Sequence, residues 1–413
     1  MDELLYLQLF ANANTNVTTD SSTGNDLSPT MKEYYNTELL ENARADLYFS
    51  QFGQKQPLPE GTGNIVEFRR WETFAKATTP LTEGVTPDGN SLSMTKVKAQ
   101  IEQYGDYSTI SDRLELEAVD DVILGATEEH GAQAGETLDT VTRNEVITGT
   151  NVIYGGDNVT SRSALTADDT ITTTLVNKCA TALKKMKAPK KDGYYIAIIH
   201  PSVSEDLREC EGWVEAHKYA SPEEIYNGEI GKLHGVRFVE TTEQKVYCGE
   251  DLASDSRTLT VNGAASASET VTFDVGTVGV DALVDRYVLI DGTQYLVTAN
   301  TDTTLTLADP LTEEAASVTC DDDTVIYPGE GGAEGCATYA VTVFGKDAWG
   351  VIEPTAEGME MIIKSRGSGG TEDPLDQRST VGWKASHAAK ILYEERLVRL
   401  EVGSSYSGVD EGN

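Results

Sequence analysis

The chain is poor in the residues that usually carry chemistry. Its 413 residues include five histidines and five cysteines, and neither type is clustered. His130, His200, His217, His234 and His387 stand in unlike contexts, and none belongs to an HExxH, GxSxG or similar mechanical motif. Structural histidines and no catalytic residue are expected. Cys179, Cys210, Cys248, Cys320 and Cys336 lack the CxxC pairs of a zinc knuckle or redox centre. They read as reduced, structural thiols. Asp120-Asp121, Glu128-Glu129 and Asp321-Asp322-Asp323 do not follow an EF-hand spacing, so no metal site is expected there. The glycine-rich runs at 329–335 and 367–370 lack the GK[ST] that cradles phosphate, which leaves no cofactor implied.

Long apolar runs are missing too. Tyr194–Ile199 is among the longest, far short of the ~20 residues of a membrane helix. The N-terminus has no basic region followed by an apolar stretch, so no membrane partner and a cytosolic origin are expected. Positive charge is scarce: 32 Lys and Arg stand against 68 Asp and Glu, a net charge of −36. Phosphate contacts need clustered cations, so the balance argues against general nucleic-acid affinity. Two readings of the acidity stay open: a surface over which enclosed DNA slides, or simple solubility at high concentration.

What is present is organised in blocks. Residues 1–30 contain NANTNVTTDSSTGND, too polar to offset its own ordering entropy, and read as an arm that orders against a neighbour. Met31, Tyr35, Leu39, Leu40, Ala43 and Leu47 then recur at helical spacing up to about Gly53. Residues 63–77 and 92–110 read as two long strands around a loop rich in Pro, Gly and Asn. At ~3.3 Å per residue each arm of that hairpin would reach roughly 40 to 50 Å, beyond its own domain. Its charged and aromatic residues Arg69, Arg70, Trp71, Lys96 and Lys98 are therefore candidate contacts to another subunit.

Asp112 and Glu115 suggest a capping box, followed by helical spacing to Gly149, a helix of ~55 Å with a kink near Gly131. A second helix carries Ile171, Leu175, Cys179, Leu183 and Met186 on one face and leads into the strand YYIAIIH. KLHGVRFVET at 232–241 reads as one further strand. Lys184, Lys185, Lys187, Lys190 and Lys191 form the one dense positive run. Three readings stay open for it: complement to the helix dipole, docking on an acidic face of a neighbouring subunit, or DNA contact.

Residues 249–336 differ in kind. TLTV, TVTF, RYVLI, QYLVTA, TLTLA and TVIY alternate with turns such as Asp291-Gly292. The block holds 17 acids against Arg257 and Arg286, hence −15, and no lysine, which marks an inserted all-β module. Cys248 and Cys336 flank it, and whether they pair at its neck stays open. Beyond it, 337–345 and 361–365 read as strands. A helix edge follows around Ala385–Ala389, then a closing strand with Val398, Leu400 and Val402 opposite Arg399 and Glu401.

The wording of several segments resembles tailed-phage major capsid proteins of the coliphage N-four type. It is carried by KEYYNTELLENARADLYFSQFGQ at 32–54, GNIVEFRRW at 63–71, LHGVRFVET at 233–241, VFGKDAWG at 343–350 and EDPLDQRSTVGWKASHAAKILYEERLVRLEV at 372–402. The resemblance implies an α+β chain of the Hong Kong 97-type capsid fold. In that fold 1–53 would be the N-terminal arm and 54–111 the extended loop, with 112–159 the spine helix and peripheral domain. Residues 160–248 would be the first part of the axial domain, 249–336 the inserted module, and 337–413 the closing part. It further implies self-assembly into pentamers and hexamers of an icosahedral shell, built in the bacterial cytoplasm around double-stranded DNA without sequence-specific binding. Portal, scaffold and cement proteins are the other partners it implies. An encapsulin-like compartment and an adhesin built on the β module are the alternatives.

Overall fold

A computed structural model describes residues 48–58, 64–81, 83–86, 89–117, 122–210, 212–213, 229–274, 277–354, 359–367, 375–410 and 412–413. Of the expected arm at 1–53, residues 1–47 lie outside them. At its end only the short helix Phe49–Phe52 is described.

A seven-stranded mixed sheet forms the centre. Its order is Val152–Tyr154, Leu397–Val402, Thr338–Phe344, Tyr195–Ile199, Val236–Glu240, Glu229–Leu233, with Val246–Tyr247 added beside Thr338–Phe344. Both of its faces are covered, which explains why YIAII is apolar without alternation. Tyr195, Ala197 and Ile199 point into a core with Leu175, Cys179 and Leu183 of the helix Thr173–Lys185. Ile196 and Ile198 point the other way, onto Phe49, Phe52, Phe344 and Trp349.

A five-stranded sheet lies beside it, built on the 14-residue strand Arg378–Ile391. Glu102–Ser111 pairs with one part of that strand, Glu360–Lys364 and Trp349–Pro354 with others, and Gln54–Leu58 closes the edge in parallel. The helix Val122–Val146 crosses this sheet, and Trp383 donates its indole N–H to Gln133 Oε1 at 3.0 Å.

Residues 259–328 make a separate six-stranded antiparallel sheet and a two-stranded ribbon. Their core runs from Leu252 to Ile326 and takes no residue from outside that range. Asp291 and Gly292, both at positive φ, close the two-residue turn between Tyr287–Ile290 and Thr293–Asn300, as the Asp-Gly pair implies.

Five sequence expectations need correction. The second hairpin arm is not one strand: Met94–Gln100 pairs with Ile65–Trp71, whereas Glu102–Ser111 leaves to join the five-stranded sheet. The free ladder is thus seven residues, roughly 20 Å rather than 40 to 50 Å. The helix over 112–149 is two described helices, Asp112–Glu117 and Val122–Val146, and the cap of the first is Ser111, whose Oγ accepts from Leu114 N–H. The long helix runs unbroken through Gly131; a glycine costs only about 1 kcal/mol there, and packing on the sheet offsets it. KLHGVRFVET is a hairpin, reversed at His234 and Gly235, both at positive φ. Ala385–Ala389 is strand, because partners on either side of Arg378–Ile391 supply hydrogen bonds that outweigh the helix propensity of alanine. The thiols of Cys248 and Cys336 are free.

Candidate subunit-contact surfaces

The hairpin Ile65–Trp71/Met94–Gln100 has two unlike faces, set by the strand period of two. Val66, Phe68 and Ala99 pack inward beside Ile352 and Ala388. Gly350 makes this fit possible: a Cβ there would sit 2.8 Å from the Phe68 ring. Arg70 also faces inward, where it pairs with Glu395 at 3.4 Å and lies 5.4 Å from the Tyr393 ring centre. It is thus committed within its own chain.

The outward face brings together Ile65, Arg69, Trp71, Met94, Lys96 and Lys98. Lys96 and Lys98 share Glu67 at 3.2 and 3.7 Å, and these two lysines hold the Glu67 carboxyl below its usual range. Trp71 is 63% exposed, and beyond it Phe74, Leu81, Val85 and Leu92 are exposed too. Four of the five hairpin candidates therefore share one open amphipathic face. Tyr107, Leu114, Leu116, Met359, Ile363 and Leu375 are also exposed, and they come from four separate segments.

The lysine run sits where the helix Thr173–Lys185 ends. Lys187 takes the left-handed conformation with φ 59°, Lys187 N–H bonds to Lys184 C=O, and Ala188 N–H reaches back to Leu183 C=O. This is a Schellman closure with lysine in the position glycine usually fills. It turns Lys184, Lys185 and Lys187 to solvent. Lys190 and Lys191 instead lie over the Tyr195 and Phe52 rings at 5.5 and 4.6 Å.

Two buried polar clusters brace these surfaces. Glu401, fully buried, accepts from Arg162 Nε and Nη2 at 2.9 and 2.8 Å and from Arg399 Nε at 2.7 Å. Arg399 also bonds the carbonyls of Ile147 and Gly149 at the end of the long helix. The closing strand, the long helix and the turn at Arg162 are thereby bolted together. Asp139 of the long helix accepts from the backbone N–H groups of Tyr48, Phe49 and Ser50 at 3.3, 3.3 and 2.7 Å, anchoring the chain as it enters the body. Burial pushes the Asp139 carboxyl up, against the pull of those hydrogen bonds.

The histidines serve local structure. His130 bonds Gln133 and Ser108, His387 bonds Thr142, and His200 accepts from Ser202 N–H at the start of the helix Pro201–Glu209. His217 lies outside the described residues. Among the described residues no three His, Cys, Asp or Glu side chains converge as metal ligands, and no helix is long and apolar enough to cross a membrane.

Comparison with known proteins follows the fold. The capsid structure of the cyanophage P-SCSP1u superposes with a TM-score of 0.57 at 14% identity, covering 95% of this chain and 98% of the other. The capsid of Ralstonia phage GP4 gives 0.55 at 12%, covering 97% and 100%. The capsid subunits of cyanophage Pam1 give 0.55 at 12%, covering 94% and 99%. At such identities the likeness is one of fold. No curated protein matches. The phage capsid protein family matches residues 90–304, just over half of the 413, and the chain belongs to that family.

Proposed function

We propose that this phage capsid protein is the major subunit of a tailed-phage head, with the Hong Kong 97-type arrangement of the coliphage N-four type. One observation carries the reading: a braced body projects a hairpin whose outer face exposes Trp71, Met94, Arg69 and two lysines, a surface that makes sense only against another chain. The capsid folds that superpose over nearly the whole chain support it. Shell formation then rests on many moderate reciprocal contacts, without catalysis. Residues 249–336 act as an autonomous module on the body, supported by their self-contained core, and their acidity suits an outward spacer. Double-stranded DNA is the content, with portal, scaffold and cement proteins as further partners and the host cytoplasm as the site of assembly.

The test is electron microscopy of the full-length chain with light scattering on the same sample. Closed shells of on the order of hundreds of copies are expected for a closed symmetric assembly. Small shells of about 60 copies enclosing protein would assign the chain to a cargo compartment instead, since the closed symmetry is the same. Chains that stay monomeric at high concentration would overturn the reading.

A further inference from the structure

The parallel pair Tyr195–Ile199/Val236–Glu240 gives the body two electrically opposite ends. At the N-terminal end of the pair lie Lys184, Lys185 and Lys187 on the helix terminus, with Lys190 near Gly235, Lys232 over the Tyr194 ring, and Lys346. Between Thr170 and Lys191 the chain has no acid at all, and among the described residues Asp192 and Asp347 are the acids that act on Lys191. In a chain of net charge −36 this is a concentrated reversal of sign.

At the C-terminal end, where Ile199 stands beside Glu240, an open pocket of about 540 Å³ is lined by Ser204, Glu205, Arg208, Glu209, Glu240 and Tyr406. Arg208 pairs with Glu240 at 3.3 Å. Glu205 and Glu209 are exposed and have no ion-pair partner among the described residues. Ser204 is 1% exposed, and its hydroxyl has no hydrogen-bond partner among the described residues although it lines the pocket. A donor entering the pocket would satisfy that hydroxyl and the two carboxylates together.

The two ends stand on opposite sides of one rigid sheet, only ~13 Å apart along five-residue strands. Unlike patches at opposite ends of a subunit pair head to tail, and a head-to-tail contact closes into a ring where the rotation between copies closes, as a closed shell requires. We infer that the lysine ridge of one copy docks into the Glu205–Glu209–Glu240 pocket of the next copy around a ring of subunits. The inference rests on the shell reading above and adds to it the two patches that meet.

The experiment is a charge-reversal cycle on the full-length chain. Lys184→Glu with Lys185→Glu, and separately Glu205→Lys with Glu209→Lys, should each raise the concentration at which shells first appear by about tenfold, as expected for losing several interfacial ion pairs. The four substitutions combined should restore it toward wild type. All four sites are exposed, so melting temperatures should stay at the wild-type value, and a drop would be answered by repeating the cycle with glutamine in place of the reversed charges. Either pair assembling at the wild-type concentration overturns the contact. So does a lysine pair that assembles normally but encloses less DNA, which would assign the ridge to nucleic acid. Failure of the quadruple variant to recover, with its monomer folded, also overturns it. A wild-type chain that never assembles brings down the shell reading and this contact with it, whereas assembling variants bring down the contact alone.

Discussion

The body and the β module bury their apolar residues by opposite strategies. The body core joins Ile171, Val203, Val236, Tyr339 and Leu400, residues separated by up to more than half the chain. The module core, Leu252 to Ile326, is one continuous stretch. The central sheet therefore forms only after distant segments meet, and its loop-closure cost is large. The module pays no such cost and is joined to the body through the antiparallel neck Val246–Tyr247/Thr338–Phe344. The difference separates a core gathered from distant segments from a core gathered within one stretch.

The sharpest way to break the comparison is at the bolt of the body. Glu401→Ala leaves Arg162 and Arg399 without their shared carboxylate, and a loss of ~3–5 kcal/mol in unfolding free energy is expected, read by urea titration. A matched pair of cavities comes next. Leu183→Ala in the body and Leu305→Ala in the module should each cost ~2–5 kcal/mol locally. All four tryptophans, Trp71, Trp213, Trp349 and Trp383, lie outside 249–336. The tryptophan-monitored transition should thus move for Leu183→Ala and stay for Leu305→Ala, while hydrogen exchange in Thr293–Ala308 does the reverse. A common shift for both variants would mean that the two cores unfold as one.

Replacing residues 250–335 by a short Gly-Ser linker removes the bond from Ala333 N–H to the body's Leu165 C=O and should change the tryptophan-monitored stability of the body by about 1 kcal/mol, the scale of one hydrogen bond. An unfolded product would show that the body depends on the module.

The smallest effect concerns pH. The tail beyond Val402 is held by Asp410, which accepts from Ser202 at 3.1 Å and from Tyr339, beside the half-buried His200 ring. Burial lowers the His200 pKa from its ordinary 6.5. Burial would raise the Asp410 carboxyl, but hydrogen bonds from Tyr339, Ser407 and Ser202 outweigh it and hold the group below 3.8. Both folded values are depressed, so their stabilisation is complete above about pH 6.5 and is lost as pH falls through the folded values. The module has no histidine, the side chain that ordinarily titrates between pH 7 and about 5. Exchange at Ser405–Asp410 should quicken across that window while Thr293–Ala308 stays protected; equal protection at both pH values would remove the tail from the acid response.

Much of this architecture was legible in the sequence wherever the signal was local. The Asp291-Gly292 turn, the face Leu175–Cys179–Leu183, the run YIAII and the change of composition at 249–336 all rest on neighbours in sequence. The failures were non-local. Ala385–Ala389 reads as helix until strands from two other segments pair with it. The arm at 92–110 reads as continuous until Glu102–Ser111 finds a better partner than its hairpin mate. Glu401 alternates as an outward residue until Arg162 and Arg399 arrive to neutralise it. The candidate contacts followed the same rule: the alternation placing Arg69, Trp71, Lys96 and Lys98 on one face is a period of two, whereas the inward duty of Arg70 depends on Glu395.

By itself, then, the sequence determined the periods, turns and charge distribution of this capsid protein, because short-range sterics and hydrophobic spacing act along the chain. Tertiary structure alone decided which strands pair, which charges are buried, and that lysine ridge and acidic pocket stand at opposite ends of one sheet. Those outcomes require residues hundreds of positions apart to share a few ångströms of space, and no local pattern encodes that distance.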